Sequence, residues 1–251
     1  MTPFSFSLPR IRMLRFLPLR TELDRMLTAS MLFSCTLVGI RMLHTGRLTF
    51  LSMIWNLFLA YIPYVISTGL TVWHKRDVER QPIRPTAPPA RLISLKGFLR
   101  IFTFLAWLLF IPNSFYILTD MYHLADGHRN SRVPEWFDLA LILSFAWNGL
   151  LLGVLSTRQV EKLLVPEATA LGRWLFLYPV MWLNALGVYT GRYLRYNSWD
   201  IITDPFDLLR DILGMIIHPF RHHYAWDMIF CYSILLTLIY ILIVKGGKAL
   251  S

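Results

Sequence analysis

Two cysteines, Cys35 and Cys231, are all that 251 residues contain, and both lie within apolar runs. A thiol in such a place behaves as a small hydrophobe, so neither a disulfide framework nor a cysteine metal centre is expected. Charge is also scarce: 16% of residues are charged and 55% hydrophobic, against about 25% charged in an ordinary soluble domain. A water-soluble core of this size needs more polar surface than the chain supplies. Acidic residues are the minority, 15 against 25 Lys and Arg, for a net charge of +10. In a soluble protein that excess would point to nucleic acid. Here the basic residues flank apolar runs, so orientation in a bilayer explains them, and no nucleic-acid partner is expected. No small-residue cleavage site follows the first apolar run, which argues against a removed signal peptide. Leu32-Phe33-Ser34-Cys35 is a poor lipoprotein processing site, because Phe33 is bulky and apolar residues continue past Cys35.

What is plentiful is aromatic side chains and long runs free of Asp, Glu, Lys and Arg. The 17 Phe, 11 Tyr and 9 Trp suit a bilayer protein, where Trp and Tyr settle at the headgroup boundary. Six charge-free runs occur: Met26 to Ile40, Leu48 to Trp73, Ile101 to Thr119, Leu139 to Thr157, Trp174 to Gly191 and Met228 to Val244. Crossing about 30 Å of hydrocarbon takes roughly 20 helical residues, which five of the runs reach or approach. The first has 15 residues and requires Arg25 and Arg41 to snorkel toward the two surfaces. Runs this long predict helices, because each backbone amide must be bonded within its own segment. Strands of a barrel would be near ten residues and would alternate apolar with polar. The expected fold is therefore all-α, a polytopic transmembrane bundle of about six spans.

Charge counting orients it. With the N-terminus in the cytoplasm, 17 basic residues fall inside and eight outside, as the positive-inside rule favours. Both termini are then cytoplasmic, and the bilayer is the expected partner. Deleting the short first span would strand Arg10, Arg12, Arg15, Arg20 and Arg25 outside. The segment His74 to Arg91, basic and carrying Pro82, Pro85, Pro88 and Pro89, reads as an exposed cytoplasmic linker. It divides residues 1–91, a basic tail with a two-span hairpin and this linker, from a four-span bundle in 92–251, within one domain.

The acidic and imidazole residues separate by side. Nine of the 15 carboxylates lie in or beside the last two outer loops, and six of the seven histidines are outer. Pro112 interrupts the third run, where Asn113 and Ser114 are placed to satisfy freed carbonyls. Asp120 and His123, three apart, share a face if the helix continues, and are the candidates for acid, base or catalytic roles. Arg192 and Arg195 run against the positive-inside trend and call for a counter-charge or an anionic ligand, a phosphate being suited to the arginine fork. With Asn197, Asp200 and Asp138 they form the candidate ligand-binding set, for an anionic lipid or a phosphate-bearing ligand at the outer face. Asp120, His123, Asp138 and Asp200 also offer oxygen and imidazole donors to zinc, manganese or magnesium. No tight spacing such as His-Glu-x-x-His occurs, so no metal ligand is assigned, and the residues identify no cofactor. An ion-pair lattice joining Asp120, Asp138 and Asp200 to Arg192 and Arg195 accounts for the same residues, since a charge at membrane depth seeks a partner.

Beyond these, Asp204-Pro205 opens an amphipathic stretch to Pro219. Phe206, Leu209, Leu213, Ile216, Ile217 and Phe220 lie on one side of it. Its spacing predicts a short helix on the outer membrane surface, capped by Asp204 with Pro205 in the first turn. Gly149-x-x-x-Gly153 and Gly187-x-x-x-Gly191 read as close-packing faces. Asn56, Asn148 and Asn184, polar but uncharged within spans, read as interhelical hydrogen-bonding groups or as the lining of a path.

Both outer segments resemble a bacterial membrane-protein family, the domain of unknown function numbered 1361. The resemblance is carried by Pro112-Asn113, Tyr116 to Asp120, His123-Leu124, Trp136 to Asp138, Gly149 and Gly153, then Gly191-Arg192 and Leu194 to Asp200. The chain departs at Phe115, where proline is common in the family, and at Tyr196, where tryptophan is. The resemblance covers about the last 160 residues and implies a bacterial plasma (inner) membrane location without an activity, cofactor or substrate. Three functions stay open: an outward-facing site for a phosphorylated or lipid-linked ligand, a small-solute transporter, and a non-catalytic membrane subunit or assembly factor. No acidic or basic residue lies deep within any run, which counts against proton-coupled transport. The gathering of charged groups on one face favours the first.

Overall fold

The computed structural model describes residues 21–79, 95–122, 133–165, 169–197 and 199–249. Among them there is no strand. Helix α1 spans Glu22–Thr45, α2 Leu51–Glu79, α3 Leu95–Tyr116, α4 Glu135–Leu164, α5 Ala170–Tyr189, α6 Pro205–Ile217 and α7 His223–Ala249. A 3-10 segment, Ile117–Tyr122, continues α3, and a π-helical turn, Thr190–Leu194, continues α5. Helices α1, α2, α3, α4 and α7 are long and apolar enough to cross a membrane. The chain is a multi-pass membrane protein.

Helix α5 falls outside that group because Arg173, Pro179, Asn184 and several aromatic residues dilute its apolar character. Its contacts nevertheless carry it over the same depth as α4. At one end Arg173 meets Glu161, near the close of α4. At the other, Gly187 lies against Pro112 near the close of α3. Twenty residues at 1.5 Å each give a length of about 30 Å. Helix α7 packs along α5 and returns Tyr240 to Glu161. The six long helices thus alternate in direction between two polar ends, here called the Asp120 end and the Glu161 end. The described stretches next to both chain ends lead from the Glu161 end.

Two large interior clusters fill the bundle, and a smaller one, Ala185, Met215, Ala225 and Ile229, seats α6 on α5 and α7. Of the large pair, one gathers Val38, Met53, Leu57, Tyr64, Ile142 and Phe145 from α1, α2 and α4. The other gathers Trp107, Ile111, Phe115, Leu177, Met181 and Tyr240 from α3, α5 and α7. Helix α2 packs on both α3 and α4, and α1 lies against α4, so the first hairpin shares its core with the later helices. Large apolar side chains such as Leu43, Phe102, Leu143, Leu175 and Leu242 point outward. That is the expected inversion for helices whose solvent is lipid rather than water.

Helix α1 differs from its sequence reading. It begins with a reciprocal cap, Thr21 accepting from the Asp24 amide while Asp24 accepts from that of Thr21, as the capping-box pattern allows. It ends at Gly46, whose φ of 65° closes the helix in the left-handed region that glycine enters without Cβ strain. Between these caps the helix has 24 residues, so the 15-residue run understated it. Arg41 does not snorkel. It is 4% exposed and paired with Asp138 of α4, because neutralising the guanidinium in place avoids a long excursion to the surface.

Candidate functional site

The site is built around the end of α3. Proline cannot donate a backbone hydrogen bond, yet α3 runs through Pro112 to Tyr116. The Asn113 side chain donates to the Phe110 carbonyl, while Ser114 Oγ reaches across to the Ala60 carbonyl on α2. Four glycines then clamp this segment. A Cβ on Gly149 would sit 2.6 Å from the Ser114 carbonyl, and one on Gly153 2.7 Å from the Phe115 ring. One on Gly187 would sit 2.6 Å from Pro112, and one on Gly191 3.3 Å from Tyr116. Both small-residue pairs anticipated from spacing therefore grip one target, Pro112 to Ile117, from α4 and α5. Close approach of this kind is what GxxxG faces permit in a membrane.

Beyond the clamp the chain tightens into the 3-10 segment, which ends the helical continuation expected there and delivers Asp120 into the protein at 1% exposure. Asn56 Nδ2 of α2 donates to Asp120 Oδ2 at 2.9 Å. Arg192 Nη1 stands 3.6 Å from Asp120 Oδ1, and its guanidinium lies over the Tyr122 ring at 5.4 Å. At 3.6 Å the pair attracts by charge without a hydrogen bond. Among the described residues Arg192 donates no hydrogen bond, so its planar fork of N–H groups is available. His123 lies outside the described residues, and its expected partnership with Asp120 with it.

Arg192 and Arg195 come from the π-helical turn. One extra residue per turn swings Arg192 toward Asp120, and the turn closes with the Tyr196 amide on the Thr190 carbonyl at 3.2 Å. Such insertions in α-helices recur at functional sites. Arg195 ends the turn at φ 63°, a left-handed conformation costing an L residue with a Cβ about 1–2 kcal/mol. It is exposed and makes no ion pair among the described residues. Asp200 Oδ2 accepts from the Asn197 amide at 2.5 Å and from Asn197 Nδ2 at 3.3 Å, so these two candidate residues brace the loop following the turn. Tyr196 donates to Asp211 of α6 at 3.0 Å. Partial desolvation, that hydrogen bond and the nearby charges of Asp207 and Asp204 push the Tyr196 phenol up to about 12. It therefore remains a donor at neutral pH.

Against this cluster lies an open-sided cavity of about 400 Å³ lined by α2, α3, α5, the π turn with the loop after it, and α6, within the range of about 300–1,000 Å³ found for ligand sites. Its walls are graded. Leu105, Leu108, Leu109, Leu183 and Leu186 make an apolar part at span depth, Asn56, Asn113, Thr190, Tyr196 and Asn197 make a polar part at the Asp120 end, and Leu208 and Ile212 of α6 close one side. Asn56 belongs to both features, since it lines the cavity and holds Asp120. The residue pattern marks Asn56 as an interhelical hydrogen-bonding or path-lining group, but its tie to Asp120 comes only from the pairing of α2 with the 3-10 segment.

Asp138, grouped with Arg192 and Arg195 on sequence, is engaged elsewhere. Arg41 Nε and Nη2 donate to its two oxygens at 2.7 and 3.0 Å, Arg41 Nη1 is bonded to Thr49 Oγ1, and the guanidinium sits 4.4 Å over the Phe50 ring. The lattice reading is met at Asp120 and Arg192, with Arg41 in place of an outer-loop arginine at Asp138. Among the described residues no three His, Cys, Asp or Glu side chains are grouped as metal ligands. Helix α6 is amphipathic as expected, with Phe206, Leu209, Leu213, Ile216, Ile217 and Phe220 exposed. Pro205 opens it, but Asp204 supplies no side-chain cap bond, because its backbone is already turned by the preceding Asp200–Thr203 helical turn.

The opposite end holds a charge cluster that sequence reading missed. Glu161, 2% exposed, receives Arg158 Nη1 at 2.5 Å, Arg173 Nε at 2.9 Å and the Tyr240 hydroxyl. Three helices and their flanks meet on this one carboxylate. Within about one and a half turns toward the interior, Trp107 Nε1 donates to Ser156, Ser156 bonds Ser67, and Ser67 bonds Gln159. Asn148 reaches Ser30 and Ser34 on α1, whereas Asn184 bonds only Val180 of its own helix among the described residues.

The model of the family described as protein of unknown function, DUF1361, matches residues 55–239. That range starts inside α2 and so takes in Asn56 together with every other described residue of the site. No curated protein and no solved structure matches the chain.

Proposed function

As the chain belongs to the DUF1361 family, whose description assigns no activity, we propose that it binds an anionic, phosphate-bearing ligand at the Asp120 end, on the outer face of a bacterial plasma (inner) membrane. The observation that carries this reading is Arg192: a guanidinium held by a buried carboxylate through charge alone, its hydrogen-bonding fork unused among the described residues, in the same turn as Thr190 and Gly191, which line a cavity. A structural arginine donates hydrogen bonds to its neighbours, as Arg41 does. Asp120 fixes Arg192 in place and Tyr122 supports its face. Arg195 adds a second positive charge from a strained loop position, and Asn197, braced on Asp200, lines the cavity beside it. Two arginines in one turn favour a group with several oxygens over a single carboxylate.

Orientation follows from charge. The Glu161 end carries the larger share of the 25 basic residues and is assigned to the cytoplasm, which puts both termini there and the Asp120 site outside. Cysteines introduced at Asn197 and at His74 are expected to react with a membrane-impermeant maleimide from outside only at Asn197; the reverse pattern inverts the topology. The binding test uses inorganic phosphate on the purified protein in phosphatidylcholine nanodiscs. Replacing a charged hydrogen-bonding group costs about 1.5–3 kcal/mol, so Arg192→Gln is expected to weaken phosphate binding about tenfold to a hundredfold with little change in melting temperature. Phosphate binding equal in wild type and variant, or absent from wild type, contradicts the reading.

A further inference from the structure

The graded cavity allows the ligand class to be narrowed, and the narrowing rests on the anion-binding reading above. We infer that the cavity is a subsite for an alkyl chain, so that the ligand is a single-chain amphiphile whose phosphate-bearing head sits at Arg192 and whose tail lies between α3, α5 and α6. The cavity is elongated along α3. Its lining on that helix runs from Leu105 to Tyr116, a wall of about 17 Å at 1.5 Å per residue. A head group alone does not need such a depth, and a polar solute gains nothing from walls of leucine. Along α3 and α5 the polarity changes in one direction, from leucine at span depth to Asn113, Thr190 and Asn197 beside the arginine turn. That order matches the order of an amphiphile's own parts.

The route of entry is also visible. Leu105 and Leu183 line the cavity and are 54% and 38% exposed, so the apolar part is bordered by side chains that face lipid. Helix α6 closes one side of the cavity. Its Leu208 and Ile212, one turn apart, line the cavity, while Leu209 and Leu213 face outward. Each apolar stripe of this helix therefore has a distinct neighbour, bilayer on one side and cavity on the other. Its attachment near the site is the Tyr196–Asp211 hydrogen bond. A tail entering from the bilayer between α3 and α5 never needs to cross water, which is where a chain would otherwise pay its hydrophobic cost.

The test compares inorganic phosphate, butyl phosphate and dodecyl phosphate on protein in phosphatidylcholine nanodiscs, with wild type, Ile212→Trp and Ile212→Ala. Ile212 is half-buried on a surface helix, so neither variant removes an interior residue. In wild type, affinity is expected to rise at least tenfold from phosphate to dodecyl phosphate. Ile212→Trp fills the cavity and abolishes that gain while leaving inorganic phosphate binding within twofold. Ile212→Ala retains the gain. An equal chain-length gain in wild type and Ile212→Trp means simple partitioning into the nanodisc and overturns the alkyl subsite. No gain in wild type overturns it too. Either result, with phosphate binding still dependent on Arg192, leaves the anion site standing; loss of that dependence defeats the anion site itself.

Discussion

The two ends of the bundle treat a buried carboxylate in different ways. Glu161 is held by two arginines and a tyrosine at hydrogen-bonding distance, drawn from α4, α5 and α7. Asp120 is equally buried and accepts a hydrogen bond from Asn56, but its arginine, Arg192, stands back at 3.6 Å, with a cavity alongside the turn that carries it. At the first, every charged group is in hydrogen-bonding contact with a partner, and the cluster ties three helices together. At the second, the arginine is positioned without being used up. The contrast separates a joint from a site: burial alone does not distinguish them, but the saturation of the hydrogen-bonding groups does.

The sharpest way to break the contrast is to attack the joint. Removing one partner of a buried ion cluster costs about 3–5 kcal/mol, so Glu161→Gln is expected to lower the melting temperature and membrane abundance strongly, read by thermal unfolding in detergent and by immunoblot of membranes. A variant as stable as wild type would show that the cluster joins nothing. Next in size is the clamp. Gly187→Ala sets a Cβ 2.6 Å from Pro112, and overpacking of this kind costs about 1–3 kcal/mol. Melting should fall, and phosphate binding should weaken with it, because α3 and the π turn shift relative to each other.

Smaller and opposite in sign is Arg195→Gly. Glycine occupies the left-handed region without the Cβ penalty, so stability should rise by about 1 kcal/mol while phosphate affinity falls. A gain in stability with unchanged affinity would remove Arg195 from the site. The least disruptive change is Tyr196→Phe, which deletes a surface hydrogen bond to Asp211 worth about 0.5–1.5 kcal/mol at most. Its expected signature is faster amide exchange in α6 with the rest of the bundle unchanged, detected by hydrogen–deuterium exchange.

Much of this fold was legible because a bilayer imposes a coarse rule on sequence. Long charge-free runs found α2, α3, α4 and α7 directly, and the glycine pairs on α4 and α5 showed where backbones approach. Charges against the positive-inside trend pointed to Arg192, and the need for a counter-charge to Asp120. The rest depended on pairings across the chain. Arg41 and Asp138 are 97 residues apart, and nothing local to either names the other. Arg41 therefore looked like the end of a short span when it is the interior of a longer one. Glu161 sat among Arg158 and Lys162 and read as an ordinary charged helix end, since Tyr240 and Arg173 arrive only on folding. Asn56 was visible as a polar residue in a span, but its role depends on a 3-10 turn that replaces an expected helix.

The most direct measurement sets Asp120→Asn beside Glu161→Gln in one pair of assays, melting temperature and inorganic phosphate affinity. Asp120→Asn is expected to melt within a few degrees of wild type and to lose phosphate binding at least tenfold. Glu161→Gln is expected to melt far lower and, at temperatures where it remains folded, to bind phosphate normally. If Asp120→Asn instead collapses the protein as Glu161→Gln does, both ends are joints and the site does not exist.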